Sequence, residues 1–143
     1  MTKKLAYLLL LTLFVNCKSD ENIPDCSTVL CAAPMVVINL VDDTSKENYI
    51  IQNNIKEENI EIRDALENPV EFTINEANGL LFVIKHNTED ALEIQIDSEI
   101  IATISYNTSA PKTNECCDYG DLINVSIDNK AFKVEDNIIT IPL

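Results

Sequence analysis

The chain has 143 residues and a formal net charge of −14, from 24 acidic and 10 basic side chains. That length suits one domain with a real core, and so acidic a surface disfavours nucleic acid and anionic headgroups while leaving cations or basic partners open. With no Trp and only two Gly, and no period of about 20–50 residues repeating, a solenoid or propeller is not expected.

The chain opens Met1-Thr2-Lys3-Lys4, a short basic start, followed by an apolar stretch from Leu5 to Val15 broken only by Thr12. Spanning a bilayer takes about twenty apolar residues, and this run is roughly half that. A basic region followed by a short apolar one is the pattern of a secretory signal peptide. It ends in Leu13-Phe14-Val15-Asn16-Cys17. This segment resembles the lipobox of bacterial lipoproteins, in the looser form of the Bacteroidota with Asn before the Cys. The resemblance covers the first 21 residues or so. It implies cleavage after Asn16, acylation of Cys17 and attachment to the outer membrane. Three acyl chains would hold such a protein stably without a transmembrane helix. The following Lys18-Ser19-Asp20-Glu21-Asn22 resembles the short acidic export signal of surface lipoproteins in the same phylum. On this reading residues 1–16 are signal peptide and residues 17–34 are the lipidated Cys and a flexible acidic tether. Residues 35–143 are the folded domain.

With Cys17 assigned to lipid, Cys26, Cys31, Cys116 and Cys117 remain, an even number in an oxidising compartment. Three connectivities are possible. A Cys116–Cys117 bridge would close a strained vicinal ring, so Cys26 and Cys31 are each expected to pair with one of the late couple. Four Cys could also bind zinc, but two adjacent thiolates do not easily reach one tetrahedral ion, and there is no CxxC pair.

From Met35 onward the pattern has period two. Met35 to Val41 is a β-branched run flanked by turn residues Asp42 to Ser45. The Lys, Glu and Gln-rich stretch from Thr44 to Asn59 allows at most a short helix or an irregular crossing. Ile60 and Ile62 alternate with polar neighbours, as do Val70, Phe72 and Ile74, which argues half-buried strands. Asn78-Gly79 predicts a type I′ hairpin turn. Leu80 to Ile84 is a continuous apolar run, predicting a strand covered on both faces. The next turn falls at His86 to Asp90.

Between residues 91 and 106, Leu92, Ile94, Ile96, Ile100, Ala102, Ile104 and Tyr106 share one face. The length predicts two strands, or one bent near Asp97-Ser98, with burial changing sides near Ile101. A loop from Asn107 to Asp121 holds Pro111, both late Cys and Gly120. Strands are then predicted over Leu122–Ile127, with Ile123, Val125 and Ile127 on one face, and over Ala131–Val134 and Ile138–Leu143.

These elements predict an all-β domain: a single antiparallel β-sandwich of about 7–9 short strands, stapled by disulfides. The strand spacing and the leading Val36-Val37-Ile38-Asn39-Leu40-Val41-Asp42 strand loosely resemble transthyretin-like and immunoglobulin-like extracellular modules. That likeness is of pattern only and transfers no function.

A hydrolase would need an activated nucleophile with a base. The lone His86 sits in a predicted turn, no Gly-x-Ser-x-Gly occurs, and the Cys are expected to be bridged. Paired-carboxylate glycosidases are disfavoured by the lack of Trp. No enzymatic role and no cofactor are expected. Calcium takes six to eight oxygens, and the weak candidates are Asp42 with Asp43 and Glu47, and Asp118 with Asp121, for which a solvated turn is the plainer expectation. Tyr119, between Asp118 and Gly120, is either a contact residue or a packing one. The expectation is therefore a membrane-anchored lipoprotein carrying a non-enzymatic structural or interaction module. Its partner would be an envelope protein or an extracellular glycan. The alternative is a calcium- or saccharide-binding surface module.

Overall fold

The computed structural model describes residues 25–84, 89–112 and 115–143. Among these residues nine strands form two sheets: β1 (Met35–Val41), β2 (Ile60–Asp64), β3 (Phe72–Ile74), β4 (Leu81–Ile84), β5 (Glu89–Ile96), β6 (Glu99–Thr108), β7 (Leu122–Ile127), β8 (Lys133–Glu135) and β9 (Ile138–Pro142). One sheet has the order β3-β4-β1-β9-β8 and the other β2-β5-β6-β7. The inward residues of both sheets meet in one core. Val36, Ile38, Leu40, Leu81, Val83, Ile139 and Ile141 come from the first sheet, and Ile62, Leu92, Ile94, Ala102, Ile104 and Tyr106 from the second. The all-β, two-sheet architecture is the one expected. One pairing departs from an antiparallel sandwich: β1 and β9 run parallel, Val37 opposite Ile138 through Val41 opposite Pro142. The β8–β9 hairpin docks onto β1 as a unit, and its orientation sets that direction.

Between β1 and β2 the chain forms one turn of α-helix, α1 (Tyr49–Gln52), which buries Ile50, and then a 3-10 turn at Glu57–Asn59. Asn48 caps α1, its side chain accepting from the Ile51 N–H at 3.0 Å. Such a cap satisfies an N–H that the first turn leaves without a partner.

The stretch from Val70 to Ile74 is divided between the sheets. The Val70 N–H donates to the Ile62 carbonyl at 2.8 Å, while the Ile84 N–H donates to the Glu71 carbonyl at 2.9 Å. The chain thus turns a corner there, and only Phe72–Ile74 pairs with β4. The β3–β4 hairpin follows, but its turn is not type I′. Gly79 alone takes a positive φ, +69°, and its N–H reaches back to the Asn75 carbonyl at 2.7 Å. The Asn75 side chain accepts from the Ala77 N–H at 3.0 Å, which stabilises a longer loop in place of the two-residue one. The type I′ signature appears instead at Asp97-Ser98, φ +50° and +69°, and at Asp136-Asn137, φ +49° and +61°. In β4, Leu81 and Val83 are buried while Phe82 and Ile84 are half-buried, so the outer face is covered only in part.

The β5–β6 hairpin corrects the expected change of side near Ile101: burial does not pass to the odd-numbered face there, because Ala102, Ile104 and Tyr106 stay in the core. Ile96 pairs with Glu99 and Gln95 with Ile100, but Ile94 pairs with Ala102. Ile101 is the extra residue of a bulge. Across a two-residue turn, even-numbered residues on β5 would face odd-numbered ones on β6. The bulge shifts the register by one, so Ala102, Ile104 and Tyr106 join Leu92 and Ile94 in the core. Ile100, expected on that face, is left 55 % exposed. A second irregularity in β7, with Asn124 at φ +52°, turns Ile123 outward and lets Leu122 pack against the core. The strand expected over Ala131–Val134 starts two residues later as β8. The turn expected at His86 lies partly outside the described residues. Its last two residues, Glu89 and Asp90, belong to β5.

Candidate functional site

The topology collects the late Cys, the N-terminal arm and the starts of β1, β7 and β9 at one end of the sandwich. The bridges are Cys26–Cys116 and Cys31–Cys117, so each early Cys takes one of the late couple. Residues 25–34, the last part of the expected tether, are therefore tied to the loop between β6 and β7. The Tyr119 hydroxyl adds to this, donating to the Ala32 carbonyl at 2.7 Å. Tyr119 is 38 % exposed and serves as a packing and hydrogen-bonding strut for the arm.

The loop is closed at its base. The Ser109 N–H donates to the Asp121 carbonyl at 2.9 Å, and the Asp121 N–H donates to Ser109 Oγ at 2.9 Å. Gly120, at φ +77°, lies so close to the Ser109 carbonyl that any Cβ would collide with it. Asp118 Oδ1 accepts from the Gly120 N–H at 2.8 Å, and Oδ2 accepts from the Lys112 N–H. Asp121 Oδ2 pairs with Lys112 Nζ at 2.8 Å, both side chains being more than half exposed. That hydrogen bond and the ammonium charge hold the Asp121 carboxyl below the ordinary carboxylate range, with a further contribution from Asn137. The same pairing raises Lys112. Asn137, in the β8–β9 turn, accepts from the Leu122 N–H at 2.9 Å. A shallow groove of about 260 Å³ lies here, bordered by Pro34, Met35, Tyr119 and Asp121 among others.

The Asp118 carboxylate is thus engaged with the N–H groups of Lys112 and Gly120, and the Asp121 carboxylate with Lys112 Nζ. Among the described residues no group of three or more His, Cys, Asp or Glu is placed to hold a metal. The early set is likewise dispersed. Asp42 Oδ1 accepts from the Thr44 and Ser45 N–H groups at 2.9 and 2.7 Å. The Ser45 backbone bond is the main reason its carboxyl titrates low. Asp43 pairs with Lys46 at 2.7 Å, and Glu47 offers its backbone carbonyl to the Asp42 N–H. Both bridges also consume the thiolates that a zinc site would have used. His86 lies outside the described residues.

Two residues not singled out from the sequence above organise the two ends. Lys112 ties Asp118 and Asp121 together. At the opposite end, Asn48 caps α1 and also donates to Asn39 Oδ1 at 3.0 Å and to the Gly79 carbonyl at 3.2 Å. An Asn directly before an apolar Tyr-Ile-Ile run is a legible N-cap signal. Nothing comparable marks Lys112. Beside α1 lies a larger groove of about 450 Å³, floored by Ile51, Ile55 and Ile74 and edged by Lys56, Glu57 and Glu76. No protein-family model, curated protein or solved structure matches the chain.

Proposed function

We propose that this chain is an exported lipoprotein, acylated at Cys17 and held on the outer membrane, whose β-sandwich is a non-enzymatic structural or interaction module. The observation that supports it best is the disposition of the five Cys. Four are bridged in pairs, as suits an oxidising compartment. The odd one, Cys17, stands where the lipobox resemblance places the acylated residue. No helix among the described residues is long and apolar enough to cross a membrane, and a lipid anchor requires none. Asp42, Asp118 and Asp121, the acids weighed as calcium ligands, each hold a turn or loop together, which favours the structural module over the calcium-binding alternative.

Cys17→Ala should move the protein from the membrane fraction to the soluble one. The membrane-bound wild type should show, by intact mass, a chain beginning at acylated Cys17. Unchanged membrane retention of the variant would refute the proposal. The acidic stretch after Cys17 favours the cell surface, where an extracellular partner, protein or glycan, would be met. Protease treatment of intact cells should then release peptides from residues 30–143. Protection until the outer membrane is broken would place the module in the periplasm instead.

A further inference from the structure

We infer that the disulfide-linked end of the sandwich seats directly on a lipid bilayer through Val29 and Leu30, so that the domain is held at the membrane surface in one orientation. This rests on the acylation of Cys17 proposed above and adds where the domain sits once anchored.

From Cys26 to Val41 there is no charged side chain, in a protein whose surface is otherwise strongly acidic. The second half of that run is β1 and is spent on the core. The first half is not. Leu30 is fully exposed at 100 %, Val29 and Met35 are each 46 % exposed, and Ala32 and Ala33 are exposed between them. Scattered single apolar residues on a surface are ordinary, whereas a contiguous uncharged apolar segment is the mark of a covered one. This segment is also rigidly presented, with Cys26 and Cys31 bridged on either side of Val29-Leu30 and the Val29 N–H bonded to the Cys26 carbonyl at 3.2 Å. A pre-ordered contact loses little conformational freedom on binding.

The occupant follows from chain length. From Cys17 to Cys26 the chain spans at most about 30 Å even when fully extended. Acyl chains at Cys17 therefore keep this end of the sandwich within reach of the bilayer. At that effective concentration, two apolar side chains too weak to recruit a free protein suffice to hold an anchored one. Asp25, Glu115, Asp118 and Asp121 flank the segment, so the surface it fits is zwitterionic and not anionic. The groove floored by Ile51, Ile55 and Ile74, at the far end, is then turned away from the membrane.

The test uses the full, acylated chain in phosphatidylcholine vesicles. The protein has no Trp, so Leu30→Trp introduces its only indole, and Glu99→Trp, at the exposed far end of β6, is the matched control. Flotation with the vesicles reports anchoring. Quenching by lipids brominated along the acyl chain reports seating. The indole at position 30 is expected to shift to the blue and to lose most of its emission to those lipids, while the one at position 99 stays solvent-like and unquenched. On the unsubstituted chain, amide hydrogen exchange over residues 27–33 should slow on vesicles, with residues 97–99 unchanged. Flotation without quenching and without slowed exchange overturns the seating and leaves the anchor standing. Failure to float overturns both.

Discussion

Gly79 adopts φ +69°, and a Cβ built there would run into the Asn48 side chain. That side chain meanwhile caps α1 and holds the Gly79 carbonyl. Gly79→Ala is therefore expected to cost about 1–2 kcal/mol for the left-handed backbone and about 1 kcal/mol more because the displaced Asn48 loses its cap. In an Asn48→Ala background the same change should cost only the backbone part. A double-mutant cycle read from urea midpoints measures the difference, and strict additivity would sink the account. The Lys112–Asp121 pair makes a prediction in pH. The Asp121 carboxyl is depressed in the folded state, so its contribution is present above the unfolded carboxylate value and is lost as pH falls below about 4. Lys112 is raised, so its contribution is full below the ordinary Lys value and is lost only as pH rises above about 10. Lys112→Met should let the Asp121 titration, followed by carboxyl NMR, move up toward the ordinary range. An unmoved titration would mean that the pairing is not maintained in solution. Asp118, Tyr119 and Asp121 were legible as members of a rigid loop from the nearby Cys and Gly. Their roles were not, because hydrogen-bond direction depends on a loop fold that no local pattern specifies.

At the scale of the element, alternation located nearly every strand, since a half-buried strand must place apolar residues two apart. It erred where one residue interrupts the alternation, at Ile100 and at Ile123, because a bulge leaves no mark in composition. The type I′ turn was sought at Asn-Gly and lies at Asp97-Ser98 and Asp136-Asn137. Asp and Asn also tolerate positive φ, and strand register then decides which candidate is used. The bulge gives a direct test. Deleting Ile101 leaves every β5–β6 pairing possible, so Ala102, Ile104 and Tyr106 still face inward. The loss should be about 1–2 kcal/mol, for one partly buried side chain. Inserting an Ala between Thr103 and Ile104 would turn Ile104 and Tyr106, now fully buried, to solvent, at more than about 4 kcal/mol. Similar urea midpoints for the two variants would mean that the bulge does not set the register.

For the whole molecule, the two-sheet arrangement was legible but the neighbours within it were not. Alternation says which face of a strand is buried and nothing about which strand lies beside it, so the parallel β1–β9 pair could not be foreseen. The Cys offered more, because adjacency alone disfavours a vicinal bridge, yet the order of pairing, Cys26 with Cys116 and Cys31 with Cys117, awaited the fold. That order has an energetic consequence. Either bridge alone closes a loop of 86 or 90 residues, which restrains the unfolded chain by about 4.5 kcal/mol in the chain-entropy account. The second bridge then closes only the small ring from Cys26 to Cys31 and back through Cys116 and Cys117, worth about 2 kcal/mol. The two contributions are thus redundant. Replacing either pair by Ser should cost about 2 kcal/mol, and replacing all four about 6–7 kcal/mol, a strongly more-than-additive loss. Cys31 lies just ahead of β1 while Cys26 ends a longer arm, so losing Cys31–Cys117 should be the more damaging of the single changes. The surviving Cys26–Cys116 bridge would then restrain the native arm least. Equal and additive losses of the two bridges, read from urea midpoints, would show that each acts through native-state contacts and not through the unfolded chain.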